Sequence, residues 1–237
     1  MARANYPEPV QETSQLAVLP FVSAVTGVIS MKAGSSKLRV TMHRLMAREG
    51  YGYIQQICTY FGSAPFDQST VGRMWPVDTG IMGRAMLRSK TQRTKRYTDV
   101  AALEAELRMD LLENKENKST DEVAKSYLAV PFFSSVSNQS ILTLYAESYS
   151  LNIFADDELV NEILAMCRGF CQLHDWLEDK KPLNSLRNFP LEIEKFERAA
   201  PTVYKRLQEE LDLPVPTFGK LARLIRERAP ERLASVV

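Results

Sequence analysis

From Leu38 the chain alternates, with Leu38, Val40 and Met42 on one side and Arg39, Thr41 and His43 on the other. That is the period of a half-buried strand. A second extended stretch follows a turn at Gly50 and Gly52. In it Tyr51, Tyr53, Ile57 and Phe61 point one way, and Ile54, Cys58 and Tyr60 mostly the other. Two further runs, 127–133 (YLAVPFF) and 140–147 (SILTLYAE), read as buried strands around a Ser/Asn-rich turn. Helices separate these strands. One is expected from about Pro20 to Met31, with Pro20 at its first position, where a missing N–H costs nothing. It ends at the 33–36 stretch AGSS. The residues 62–78 read as loop and 81–88 as a short helix, and 91–97 as extended. Asp99 is placed to cap a helix from Val100 to about Leu112. A charge run (ENKENK, 113–118) reads as loop, and Ser119 and Glu122 have the spacing of a capping box. After Asp156 and Asp157, the positions Val160, Ile163, Leu164, Cys167, Phe170, Cys171, His174 and Leu177 follow helical spacing to an end near Lys181-Pro182.

Beyond that point prolines divide the chain into short pieces. The boundaries expected are a tail over 1–12, a domain over 13–180 and a helical extension over 181–237. The last includes a short helix capped by Thr217, with Phe218, Leu221, Leu224 and Ile225 on its apolar side. This helix carries more arginine and lysine than glutamate. It lacks a helix-turn-helix partner, so it is read as packing or binding a protein rather than DNA. The 30 basic residues among 237 are balanced by 29 acidic ones, and no nucleic-acid surface is expected.

The segment 13–31 carries no charge and is the one place where a membrane anchor could be read. Glu8 and Glu12 precede it, and it contains Pro20, Gly27 and several hydroxyls. A packed amphipathic helix is the better reading, and no membrane partner is expected. Cys58, Cys167 and Cys171 are too few for a disulfide framework, which suits a reduced, cytoplasmic setting.

The order helix, two strands, loop, short helix, strand, helix, two strands, long helix is an α+β pattern. Two segments give it a family likeness. The first runs from Val77-Asp78-Thr79-Gly80-Ile81-Met82-Gly83-Arg84-Ala85 to Tyr97-Thr98-Asp99. The second is Ser126-Tyr127-Leu128-Ala129-Val130-Pro131-Phe132, then Ile141-Leu142-Thr143-Leu144, then Phe154 with Asp156 to Leu159. Together they resemble the GAF domain, a relative of PAS domains, over roughly 15–178. One departure is Ser140, where that family commonly has glycine. The resemblance implies a central antiparallel sheet. The first and last long helices would lie on one face, and a ligand cavity on the other. Gly80 and Gly83 support the match physically, since they frame a helix entry close to the sheet.

The resemblance places Tyr60, Trp75, Asp78, Thr79, Arg84, Arg93, Tyr97 and Tyr127 as candidate ligand-binding residues. For each there is a plainer reading. The aromatics suit ordinary core, and Asp78 and Thr79 suit helix capping. The acid-free run from Arg84 to Arg96 suits a solvated basic face as well as an anion site. Cys167, Cys171 and His174 share one helix face, but no second segment supplies further metal ligands, so core packing is expected and no metal. A small-residue seam of Ser23, Thr26, Gly27 and Ser30, beside Val22, faces outward in this reading. With Ile163, Leu164, Cys167, Cys171 and His174, it predicts a homodimer through a helical bundle.

The leading expectation is a sensory or regulatory module, not an enzyme, that binds a small molecule, with the cofactor unidentified. The alternatives are an enzyme of the free-methionine-sulfoxide reductase type and a ligandless scaffold or transcriptional regulator. The first alternative needs a nucleophilic thiolate near the cavity, and the 62–78 loop carries no cysteine. No adjacent Cys-His pair of the bilin-binding kind is present, and the 152–156 stretch NIFAD only faintly resembles a cyclic-nucleotide N-K-F-D signature.

Overall fold

A computed structural model describes residues 10, 12–34, 37–48, 51–62, 70–78, 80–105, 124–135, 139–177, 208–211 and 213–219. In chain order these form α1 (Glu12–Ala33), β1 (Leu38–Arg48), β2 (Tyr51–Gln56), β3 (Phe61–Gly62), β4 (Met74–Pro76), α2 (Gly80–Arg88) and β5 (Gln92–Thr94). A helical stretch over 100–105 is α3. Then come β6 (Ser126–Ser134), β7 (Gln139–Ser148), a 3-10 turn (Ile153–Ala155), α4 (Asp157–Leu177), β8 (Gln208–Glu210) and β9 (Thr217–Phe218).

One sheet organises the molecule, in the order β4-β2-β1-β7-β6-β5-β8. Its neighbours pair antiparallel, except that β9 joins β6 in parallel. The alternation read from Leu38 decides which residues face where. Leu38, Val40 and Met42 of β1 join Leu128, Val130 and Phe132 of β6 and Leu142, Leu144 and Ala146 of β7 in the main core. Over them lie Val18, Val22, Val25 and Ile29 of α1 and Leu159, Ile163, Leu164, Cys167 and Cys171 of α4. The opposite face is covered by α2, whose Ile81 and Ala85 pack on Tyr127, Ala129 and Tyr145. An α+β fold with two long helices on one face of an antiparallel sheet is the arrangement that the GAF resemblance implies.

Several elements differ from the sequence reading. Helix α1 begins at Glu12, and Pro20 lies inside it on the exposed side, so it does not set the helix start. The second strand stops at Gln56, and Phe61–Gly62 is a separate strand on β1. The expected 62–78 loop contains β4, paired with β2. The Asp99 cap is present, with the Ala102 N–H donating to Asp99 Oδ1 at 2.8 Å, and at the start of α4 the Glu158 N–H donates to Asp156 Oδ1 at 2.9 Å. The capping pair Ser119 and Glu122 lies outside the described residues.

The largest difference concerns the C-terminal piece. It was expected to be a separate helical extension, but 208–210 and 217–218 are strands of the sheet. Thr217, expected to cap a helix, sits in β9, and Phe218 is buried between Phe132 and Phe170. Of the apolar positions expected on that helix, Phe218 is in the core, and Leu221, Leu224 and Ile225 lie outside the described residues. Residues 220–237 lie outside the described residues.

Candidate functional site

The central stretches of β1, β2, β5, β6 and β7 are buried on both faces, yet their second face is polar. The cross-strand register arranges that face in rows. Gln56, His43 and Thr143 stand side by side on β2, β1 and β7. The next row is Thr41, Tyr145, Ala129 and Gln92, and a third is Arg39, Glu147, Tyr127 and Thr94. His43, Gln56, Thr143 and Gln92 are fully buried.

Some of these groups are satisfied within the chain. Thr41 Oγ1 lies 2.8 Å from the Cys58 carbonyl, and Gln56 Nε2 donates to that carbonyl at 2.8 Å and to Thr70 Oγ1 at 2.9 Å. The Tyr127 N–H donates to Thr94 Oγ1 at 2.7 Å. Arg39 forms an ion pair with Glu147, and Tyr145 Oη donates to Glu147 Oε2 at 2.5 Å. The Arg39 guanidinium also lies over the rings of Tyr60 and Tyr149, 5.5 and 5.7 Å from their centroids.

Others have no hydrogen-bond partner among the described residues: both ring nitrogens of His43, Gln56 Oε1, Thr143 Oγ1, and Nε2 and Oε1 of Gln92. Leaving a buried donor or acceptor unpaired costs about 1–3 kcal/mol. Several on one face offer hydrogen bonds to water or to another polar group brought against it. His43 lies between aromatic rings, 5.6 Å from Trp75 and 6.0 Å from Tyr145 between centroids. Burial lowers its pKa to about 3, so its imidazole is neutral at physiological pH, offering one donor and one acceptor. With Arg39 and Glu147 neutralising each other, this face presents hydrogen bonds and aromatic rings rather than net charge.

The sequence candidates divide around it. Trp75 stands on this face, Tyr127 is in its third row, and half-buried Tyr60 borders it. Tyr97 belongs elsewhere: it packs with Leu103, and its backbone exchanges hydrogen bonds with the Asn152 side chain at 2.9 and 2.6 Å. Asp78 is half-buried at the entry to α2, and Thr79 lies outside the described residues.

Arg84 and Arg93 do not converge on the polar face. Arg93 turns to the helical side and donates to Asp157 Oδ1 at 2.6 Å, to Glu209 Oε1 at 3.3 Å and to the Phe154 carbonyl at 3.3 Å. Arg84, Arg88 and Lys90 gather on Glu210: Arg88 hydrogen-bonds it, Lys90 is 3.7 Å away and Arg84 3.9 Å. The Arg88 hydrogen bond, with help from the other two cations, holds the Glu210 carboxyl below its ordinary range. Alternation within β5 separates Arg93 from Gln92 and Thr94, and β8 supplies the counter-charge. The basic run is therefore neither a bare solvated face nor an assembled anion site.

The residues missed in the sequence are His43, Gln56, Gln92, Thr143, Tyr145 and the Arg39–Glu147 pair. Their signal was present: polar residues recur at every second position of strands otherwise rich enough in apolar residues to be buried on both faces.

The small-residue seam is split. Ser23, Gly27 and Ser30 are exposed, whereas Thr26 is buried and its Oγ1 lies 2.7 Å from the Val22 carbonyl. Val22, Ile163, Leu164, Cys167 and Cys171 are buried within their own chain. His174 is half-buried against Phe170 and Phe218, at 4.4 and 6.3 Å between ring centroids. Much of the apolar arc of α4 is thus used inside the chain, by the sheet, α1 and β9, while Leu173 is exposed. All three cysteines are buried free thiols, and burial raises the pKa of each. None has the electropositive, accessible setting that favours a nucleophilic thiolate. Among the described residues no group of three His, Cys, Asp or Glu side chains is placed to hold a metal ion. The stretch Gln15–Ala33 is long and apolar enough to cross a membrane, and here four valine and isoleucine side chains of that helix are packed on the sheet.

Neither a protein-family model nor a curated protein sequence matches the chain. Among solved structures it is similar to a GAF domain, at 16% identity over 68% of this chain and 86% of that one, with a TM-score of 0.36. It is also similar to a free methionine-R-sulfoxide reductase of Neisseria meningitidis in complex with its substrate (17% identity, 73% and 99% covered, TM-score 0.32). A third is a transcriptional regulator from Alicyclobacillus acidocaldarius (18% identity, 66% and 64% covered, TM-score 0.35). At these identities and TM-scores they assign neither a ligand nor an activity to this chain.

Proposed function

We propose that this protein is a sensory or regulatory module. It binds a small, uncharged, hydrogen-bonding molecule against the polar face of the sheet beneath α2. The observation that carries this reading is the set of buried polar atoms on His43, Gln56, Thr143 and Gln92 that have no partner among the described residues. The rings of Trp75 and Tyr145 beside His43 favour a ligand with a flat face. A carboxylate or phosphate ligand is disfavoured, because the cations that would anchor it are engaged by Glu209, Glu210 and Asp157.

In this reading occupancy is passed on through a homodimer. The outer side of α1, with Ser23, Gly27 and Ser30 between exposed Leu16 and Met31, is the surface proposed for it. Small residues there allow close approach of two backbones. A thermal-shift screen of uncharged heterocycles and amides tests the ligand claim. A binder should raise the melting temperature of the native chain and lose that effect in Thr143→Val and Gln92→Leu variants. Binders that act equally on the variants, or that are all anions, would contradict it.

A further inference from the structure

The edge of β5 is occupied by the chain's own β8, and the contact is chemically specific. Consecutive strand residues point to opposite faces. Glu209 meets Arg93 on the helical side of the sheet, while Glu210 meets Arg84, Arg88 and Lys90 on the side of α2. The backbone pairs Gln92 with Glu210, Arg93 with Glu209 and Thr94 with Gln208. The Leu211 N–H then donates to the Thr91 carbonyl at 3.1 Å, and the Leu211 side chain enters the main core. The edge therefore reads three features: an extended backbone, two consecutive acids with one for each face, and a following apolar side chain.

The charges are unequal. Four cations from α2, β5 and the turn between them meet two carboxylates of β8, and Arg93 has Asp157 besides. Among the described residues the edge thus has one more cation than the carboxylates that meet it. The glutamates keep contact with solvent, their side chains 46% and 31% exposed, so water and salt can reach these ion pairs. The pairing is also short, at three residues.

We propose that the β5 edge is a docking slot for an extended acidic segment of a partner protein, of the pattern Glu-Glu-apolar. In the isolated chain β8 fills it. Strand addition of this kind takes affinity from main-chain hydrogen bonds and specificity from alternate side chains. A partner carrying more acids than β8 uses the surplus positive charge and displaces it. The slot borders the polar face at Gln92, the register partner of Glu210, and takes its acidic segment whatever that face binds.

The test uses the full-length chain and a labelled eight-residue peptide matching 206–213 (RLQEELDL). In the double variant Glu209→Lys/Glu210→Lys, the internal strand repels the slot. That variant should bind the peptide at least about tenfold more tightly than the wild-type chain. Binding should weaken as salt rises, and a peptide with both glutamates replaced by lysine should not bind. A folded double variant that ignores the peptide, or binds both peptides alike, overturns the proposal. If the double variant does not fold, hydrogen exchange of the wild-type chain decides. Amides of 208–211 should exchange faster than those of β6 and accelerate with salt. Exchange of 208–211 only in step with β6 overturns the proposal.

Discussion

At the scale of single residues, His43 is where burial and chemistry conflict most. Its folded pKa of about 3 lies below the ordinary value of 6.5 because burial penalises the cation. Between those values the unfolded chain holds a proton that the native chain does not. Stability therefore falls as pH drops from about 6.5 towards 3, by up to about 1.4 kcal/mol per pH unit from this one group. Urea unfolding across that range should show the slope reduced by one proton in His43→Leu. An unchanged slope would mean that His43 is protonated in the folded chain. Arg93 makes the opposite case, a buried charge whose two terminal nitrogens are held by three acceptors. Replacing it with Met should lower stability by about 1–3 kcal/mol, because it removes charge-assisted hydrogen bonds to Asp157, Glu209 and the Phe154 carbonyl. Chemical denaturation checks this. A variant as stable as the parent would show that those contacts contribute nothing net.

At the scale of elements, α2 is the lid of the polar face, and its position depends on a close approach. A Cβ on Gly83 would lie 1.9 Å from the Val77 carbonyl oxygen, and Gly80 takes a φ of 62° at the helix entry. Gly83→Ala must therefore push α2 outward or strain the turn. It should destabilise the chain by roughly 1–3 kcal/mol or more, with greater exchange in α2 than in α4, read by hydrogen exchange. A variant with parental stability and exchange would contradict the packing described. This glycine was legible from the sequence because no side chain fits between helix and turn. The paired strands β1, β6 and β7 and helix α4 were legible for the same kind of reason: long runs with one period, bounded by capping or turn residues. The short elements were not. Strands β4, β8 and β9 have two or three residues, too few to show any period, and they exist because longer strands offer them an edge. The site was half legible. Trp75, Tyr127 and Tyr60 stand out as aromatics, whereas His43, Gln56, Gln92 and Thr143 become a site only when the register sets them side by side.

At the scale of the whole molecule, two surfaces frame the central claim, the outer side of α1 and the polar face. Gly27 is exposed, and a Cβ there would meet nothing within 4 Å. Gly27→Arg should leave the fold and melting temperature unchanged while converting the proposed dimer to a monomer in sedimentation equilibrium. Ile163→Glu is no comparable test, since that side chain is fully buried and its loss would unfold the chain. A wild-type chain that sediments as a monomer at tens of micromolar, roughly where a functional dimer persists, would remove α1 as the route of signalling. The ligand claim has a more direct test. Native mass spectrometry of the full-length protein, followed by denaturing release, weighs any occupant of the polar face and then identifies it. The account predicts an uncharged small molecule at one per chain, retained by the parent and absent from a folded Thr143→Val/Gln92→Leu variant. A released anion, or an occupant held equally by that variant, would contradict it.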